Sequence, residues 1–331
     1  MVYTLAQYAS VEKEPLAKGM MLGIAQEGVI ADIVPWRSIG TLSETGTRFD
    51  DVPDIGFVPL NGTITEATVD GHPLSHAVYQ LLHHIDIPVP LEDASSGVIQ
   101  RASTTQLMLA KRGAAYKVND QFINGDQGSD PNGFNGLNKI VGNLASAQTV
   151  GASQLDISGA SNHELAVDRI HLGMHSVDGH NPTAGFGNSQ FLLRFESMLR
   201  QTDMVGLDYN WKSAALEVND PRKTQATASQ RPAFMYRTVP FYDLGVKADQ
   251  STQVILNTYT DGGLGSSDNT RLFFVKLGED NLEGIQFAPL SVNEIGLLEG
   301  KDNKRWRLKW ILGTAAWGPR CAVKVIGLKV T

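Results

Sequence analysis

Cys321 is the only cysteine, so no disulfide can form within the chain, which fits a reducing compartment. No apolar run approaches the ~20 residues that a membrane-spanning helix needs. The opening residues, MVYTLAQYASVEKEP, lack the basic segment and apolar run of a secretory signal. Positive charge is short: 28 Lys and Arg stand against 35 Asp and Glu, for a formal net charge of −7 and a pI of about 5.6. A tight, sequence-specific DNA-binding module carries the opposite balance. There is no internal repeat, no low-complexity tract, no G-x-S-x-G elbow and no G-x-G-x-x-G fingerprint. These absences leave a soluble cytoplasmic protein, or a part of something assembled there, with no membrane partner.

What is present is a chain of 331 residues, 42% hydrophobic, enough for a sizeable core. T-x-x-Q at Thr4–Gln7 is a capping-box pattern before a short helix that Pro15 interrupts, and a second helix is expected from Leu16 to about Asp32. This opening reads as an arm, not as the first strand of a compact domain. From Thr41 to Pro73, glycines and prolines punctuate short runs such as IGFVPL, with charges at Arg48, Asp50, Asp51, Asp54, Glu66 and Asp70. Too few large apolar residues are present to fill a core. The pattern predicts a long hairpin with its second strand near Ser75–Ile87, and an isolated hairpin must lie on a neighbour. Those six charged residues are its candidate inter-subunit contacts. Leu107, Ala110, Ala114 and Val118, spaced by three and four, predict an amphipathic helix over 94–124, roughly 40 Å long at ~1.5 Å per residue. Helices are also expected at 163–177 and 189–202. Strands are expected at RPAFMYRTVPFYDLG, TQVILNTY, RLFFVKL and through the tail after Ile295.

The stretch FINGDQGSDPNGFNGLNKIV (122–141) invites three readings. Neither Asp126 nor Asp130 starts a calcium loop with oxygen ligands and glycine where they are needed. Lys139 lies between Asn138 and Ile140, so the Gly-Lys-Ser/Thr of a phosphate loop is missing. An ordered turn remains. Gly125 would end the long helix in a left-handed cap, Asp and Asn would bond their own backbone, and Phe134 and Leu137 would pin the loop to the core. His163, His171, His175 and His180 suggest zinc, and a metal-dependent enzyme is the rival reading. However, Val167 stands where H-E-x-x-H needs its second histidine. His83 and His84 point to opposite faces of a strand and chelate poorly. GGLGSSDN (262–269) reads as a hairpin turn, and Cys321, in an apolar strand, as an inert buried thiol. No enzyme, cofactor or metal site is expected.

The chain resembles the major capsid proteins of tailed bacteriophages with the Hong Kong-type coat fold, also called the Johnson fold. One branch of that family ends its long spine helix in F-x-N-G-D, followed by F-[DN]-G-L. Here these are Phe122, Asn124, Gly125 and Asp126, then Phe134, Asn135, Gly136 and Leu137. Two further blocks match: F-x-V-K-x-G-E-D-x-L-x-G-I-Q (Phe273–Gln286) and W-x-L-x-x-A-x-x-x-P-R-x-A (Trp310–Ala322). The resemblance implies an α+β fold with an N-terminal arm (1–40) and an extended loop (41–87). It also implies a P-domain with the spine helix (88–144 and 290–331) and an A-domain (145–289). It implies hexamers and pentamers tiling an icosahedral virion shell around double-stranded DNA held by weak non-specific contact, assembled in the host bacterial cytoplasm. Portal, scaffolding and decoration proteins would be partners. An encapsulin-like nanocompartment shares the fold and is the nearer alternative. No scaffold-like charged helical segment precedes the arm, and no Lys–Asn crosslinking pair is identified.

Overall fold

Pro15, whose fixed φ suits a first helical turn, opens helix α1 (Pro15–Glu27). The single helix expected here breaks at Gly28, and α2 (Val29–Ile33) follows. It ends because Val34 precedes Pro35 and is held in the extended region. The computed structural model describes residues 2–3, 5, 15–60, 62–63, 68–94, 102–144, 148–201, 209–213, 232–261 and 268–330. The capping box at Thr4–Gln7 falls largely outside them. Val2–Tyr3 form a strand, β1, which corrects the reading of this opening as a strandless arm.

After α3 (Val89–Ala94) comes the longest helix, α4 (Ala102–Asn124). The expected stripe faces inward: Leu107, Ala114, Val118 and Phe122 are buried and Ala110 half-buried. Residues 95–101 of the expected helix lie outside the described residues. The shorter α5 (Leu137–Gly142) follows the glycine-rich turn, and α6 (His163–Ser176) and α7 (Ser189–Gln201) form where expected.

A five-stranded sheet runs β1, β2 (Trp36–Ser38), β13 (Leu282–Leu297), β14 (Asn303–Ala316), β5 (Tyr79–Pro88). Only β2 and β13 pair in parallel. Gly284 of β13 faces Trp36, and a Cβ there would come within 2.3 Å of the indole. That close approach accounts for the glycine of the G-I-Q motif. Gln286 of the same motif accepts the Trp310 indole N–H at 3.0 Å. A separate two-stranded hairpin, β3 (Ser43–Phe49) with β4 (Gly71–Ala77), projects from this sheet. The second strand expected at 75–87 therefore splits at buried Val78. β4 pairs with β3, but β5 turns into the sheet and buries Ile85 and Ile87.

An eight-stranded sheet runs β6 (Thr149–Val150), β15 (Ala322–Lys329), β12 (Asn269–Val275), β8 (Ala184–Gly187), β11 (Val239–Asp243), β10 (Pro232–Tyr236), β9 (Tyr209–Ser213), with β7 (Leu155–Asp156) also on β15. It is a wall between two cores. Successive residues of a strand point to opposite faces. Leu272 and Phe274 of β12 enter the cluster under α6 and α7, while Phe273 and Val275 enter the main cluster around α4. The sequence-based division at 289/290 does not follow these sheets: β13 begins at Leu282, and β15 leaves the company of β14 to pair with β12. TQVILNTY forms only isolated bridges at Gln253 and Tyr259. The side chains of Asn124 and Asn188 take the carbonyls of Val254 (2.8 Å) and Ile255 (2.6 Å), so no ladder uses them. Within GGLGSSDN, residues 262–267 lie outside the described ones.

Candidate functional site: the projecting hairpin and the turn beneath it

The hairpin stands on an ionic anchor. Arg37 of β2 points its guanidinium at two carboxylates, Glu44 of β3 (2.6 and 2.9 Å) and Glu283 of β13 (2.6 to 3.1 Å). Glu283 is fully buried and also accepts the Trp317 indole N–H at 3.0 Å. A buried carboxylate is stable only when paired and hydrogen-bonded, and this one is both. The bonds to Glu283 and then Glu44 push the Arg37 pKa up, so the guanidinium stays charged. Trp317 lies against Gly46, where a Cβ would come within 2.5 Å of the ring. His76 of β4 meets Trp317 edge-on at 4.7 Å and accepts the Ala316 N–H at 3.4 Å. Burial is the main cause that holds the His76 imidazole below its ordinary range.

Beyond this base the tip of the hairpin is left uncovered by the described residues. Val52, Ile55, Phe57 and Leu60 are 86%, 85%, 109% and 98% exposed. Of the six charged candidates, Arg48 ion-pairs Asp50 at 2.5 Å inside the hairpin, and Asp51, Asp54 and Asp70 are exposed. Glu66 lies outside the described residues. The exposed feature that charge counting overlooked is apolar; its signal was IGFVPL, the one dense hydrophobic run between Asp54 and Asn61.

The glycine-rich turn buttresses the hairpin. Phe134 and Leu137 are buried. Asp126 accepts the Gly128 N–H at 2.9 Å and pairs with Lys139 at 3.2 Å, and these two contacts, in that order, hold its carboxyl below the usual range. Asp130 accepts the Asn132 N–H at 3.1 Å. Gly125 does not take the left-handed cap expected of it. Glycine is required because its Cα and that of Gly136 pass backbone against backbone. Gly136 N–H donates to Gly125 O at 2.8 Å, and a Cβ on Gly125 would meet Phe134 O at 2.3 Å. Gln127 donates to the Tyr79 hydroxyl and Thr314 to the Asn135 carbonyl at 2.8 Å. Turn and hairpin base thus enclose a cleft of about 200 Å³.

Asn124 joins the end of α4 to α5 and, through Asn138, to β12. Its side chain accepts bonds from Asn138 (3.0 Å) and Tyr259 (3.2 Å). Asn138 in turn accepts from Arg271 of β12 at 2.8 Å, and Arg271 stacks on Tyr259 and pairs with Asp261 at 2.7 Å.

The histidines do not converge. His163 is buried, His171 bonds the Tyr236 hydroxyl at 2.6 Å and stacks on its ring, and His180 turns to the His175 carbonyl. Among the described residues no group of three His, Cys, Asp or Glu is placed to hold a metal ion, and no helix is long and apolar enough to cross a membrane. Cys321 is buried just before β15, not within it, and burial pushes its thiol up to about 12.

No protein-family model and no curated protein sequence matches the chain. Solved structures do. The holo-SrpI encapsulin complex from Synechococcus elongatus aligns with 92% of this chain and 88% of its own, at 13% identity and a TM-score of 0.61. The capsid of a native GTA particle aligns with 92% and 90%, at 13% identity and a TM-score of 0.57. A structure from Mycobacterium phage Bobi covers 90% of each chain, at 11% identity and 0.54. The chain has the Hong Kong-type capsid fold. In this capsid fold the motif blocks at 122–137, 273–286 and 310–322 are close-packing positions: paired glycines under the turn, Gly284 under Trp36, and Gln286 on Trp310.

Proposed function

We propose that the chain is a structural shell subunit, the major capsid protein of a tailed bacteriophage. It self-assembles as hexamers and pentamers into an icosahedral head around double-stranded DNA. The observation that carries this reading is the apolar hairpin tip on its ionic anchor. Burying a large apolar side chain stabilises by about 1.5–3 kcal/mol, so covering four of them on a neighbour contributes on the order of 6–12 kcal/mol before the ordering cost. A closed shell repeats that contact in every subunit. The extended loop (41–87, projecting over 43–77) reaches across to neighbours; of the expected arm (1–40), Met20, Met21, Ile24, Ile30 and Trp36 are buried in the chain's own main core. The P-domain (expected as 88–144 and 290–331) and A-domain (expected as 145–289) form the tile, with β13 extending the first sheet back to Leu282 and β15 joining the second. The role is non-enzymatic. The net charge of −7 suits a wall that touches packaged DNA without gripping it. Portal, scaffolding and decoration proteins are its further partners, and the virion its final location, after assembly in the host bacterial cytoplasm.

The likeness to an encapsulin, with a TM-score of 0.61, supports a second reading: a compartment filled with protein cargo. Particles purified from the cells in which they form and imaged by electron microscopy distinguish the two. The capsid reading expects icosahedral shells holding nuclease-resistant double-stranded DNA. Shells with protein cargo and no DNA favour the second reading, and a monomer at every concentration and salt refutes both.

A further inference from the structure

On the outer face of the five-stranded sheet, β14 carries cations at alternate positions. Leu308 and Trp310 turn into the main core, so Arg305, Arg307 and Lys309 point the other way. A charge on a sheet finds its partner directly across, on a neighbouring strand. Arg305 does so: it lies opposite Asp86 of β5 and pairs with it at 2.6 Å. The next two rows are different. Arg307 is exposed between His84 of β5 and Asn293 of β13. Its Nε–H donates to His84 Nε2 at 3.2 Å, a neutral acceptor that leaves the charge unanswered. Lys309 is half-buried between Leu82 and Ser291. Among the described residues neither Arg307 nor Lys309 has a carboxylate at ion-pairing distance. Glu294 of β13 lies opposite Trp306 and so belongs to the other face. Leu82, 45% exposed, adds an apolar spot beside the two free cations.

The hairpin tip has the reverse composition. From Asp50 to Asp70 it holds five carboxylates and no Lys, Arg or His. Asp50 is taken by Arg48, whereas Asp51 and Asp54 are exposed and have no cation partner among the described residues. Exposed Val52 and Ile55 stand beside them. We infer that the tip of a second copy of this chain docks across the outer face of the sheet, with Asp51 and Asp54 on Arg307 and Lys309 and an apolar side chain of the tip on Leu82. Each surface supplies the charge the other lacks, and complementary charges around an apolar contact fix the register of an interface. A phosphate backbone would meet the same two cations, but it has nothing to cover Leu82, and two charges release few counterions. The contact rests on the shell reading and names the surface of a neighbour that receives the tip.

Two measurements on the full chain test this contact. The first uses wild-type particles assembled from isotopically light and heavy chains and treated with a carbodiimide, which joins a touching carboxylate and amine. Mass spectrometry should find Lys309 of one chain linked to Asp51 or Asp54 of another. The second is a charge exchange read by light scattering and electron microscopy. Arg307→Glu with Lys309→Glu sets like charges face to face, as does Asp51→Lys with Asp54→Lys. Each pair should raise the protein concentration needed for half-assembly by about tenfold or more. All four substitutions together should restore assembly. Thermal melts within a few degrees of wild type show that the fold is intact, as these side chains lie outside the core; where a pair unfolds, the wild-type cross-link decides. Particles in which Lys309 links to neither aspartate of another chain refute the contact while the shell reading stands. So does a folded pair that assembles like wild type, or a folded fourfold variant that fails to recover. Normal assembly of the Arg307→Glu, Lys309→Glu variant with loss of nuclease-resistant DNA alone assigns the face to nucleic acid instead. A wild-type chain that never assembles removes the shell reading itself.

Discussion

Replacing Gly136 by alanine tests the account of the turn most directly. Gly136 has φ −87° and ψ 177°, a conformation open to any residue, so conformational freedom is not what it supplies. It supplies space: a Cβ would stand 2.6 Å from Gln121 O and 2.7 Å from Gly125 N. Both obstacles are backbone and cannot rotate aside, so the two limbs must part and the 2.8 Å bond from Gly136 N–H to Gly125 O is lost. Overpacking costs about 1–3 kcal/mol and the hydrogen bond about 0.5–1.5, for a total of about 2–4 kcal/mol. At roughly 2–4 °C per kcal/mol, the melting temperature should fall by about 4–16 °C. Gly125→Ala should do the same, with its Cβ 2.3 Å from Phe134 O. Gly142→Ala, with nothing within 4 Å, is the control and should be near neutral. Asparagine separates the two explanations of Gly125. A left-handed cap accepts Asn, whereas a close approach rejects it at least as strongly as Ala. Differential scanning fluorimetry of the four variants suffices. A Gly125→Asn chain that melts like wild type, or a Gly136→Ala chain within a degree of it, would refute the reasoning.

Four further outcomes are expected. Deleting 51–69 and closing the strands with Asn-Gly should leave the circular dichroism and melting of the monomer nearly unchanged and abolish particles; loss of the fold would place that segment in the core. Stability should fall as pH drops below about 6.5. Burial lowers the folded pKa of His76 and of His171 from 6.5, so below that value the unfolded chain binds more protons; urea melts of the His76→Phe, His171→Phe double variant should be flatter across this window. Phe134→Ala should cost about 3–5 kcal/mol and Leu137→Ala about 2–5, while Asp126→Asn should be mild and the wild-type midpoint indifferent to calcium or EDTA. Cys321, its thiol pushed up to about 12, should resist thiol reagents at pH 8 until the chain is denatured.

Elements fixed by local chemistry were legible in the sequence. The stripe from Leu107 to Val118 could be read because helical period shows in any short window. The hairpin could be read because glycine and proline break the chain on both sides of it. What failed was pairing between distant segments. β4 and β5 are one extended stretch, and only their partners, β3 and the far β14, tell them apart. β15 looks like a continuation of β14 until β12 claims it. TQVILNTY has the composition of a strand, but Asn124 and Asn188 capture its carbonyls from elsewhere in the chain. The site divided in the same way. The turn's Asp bonds to its own backbone are local and were foreseen. The Arg37–Glu283–Trp317 anchor joins residues up to 246 positions apart, and the candidate Arg48 proved to be engaged with Asp50 beside it.

That separation has a consequence for synthesis. The hairpin leaves the ribosome early, but Glu283 and Trp317, which seat it, come hundreds of residues later. At ~5–20 residues per second, the 246 positions between Arg37 and Glu283 take about 12–50 s to make. Throughout that interval the hairpin strands have no footing, and the tip is carried on an unanchored ribbon. Only after β13 and β14 close does the chain present the tip at a fixed angle. On the shell-subunit reading, the fixed presentation of the tip to a neighbour would therefore come late in translation.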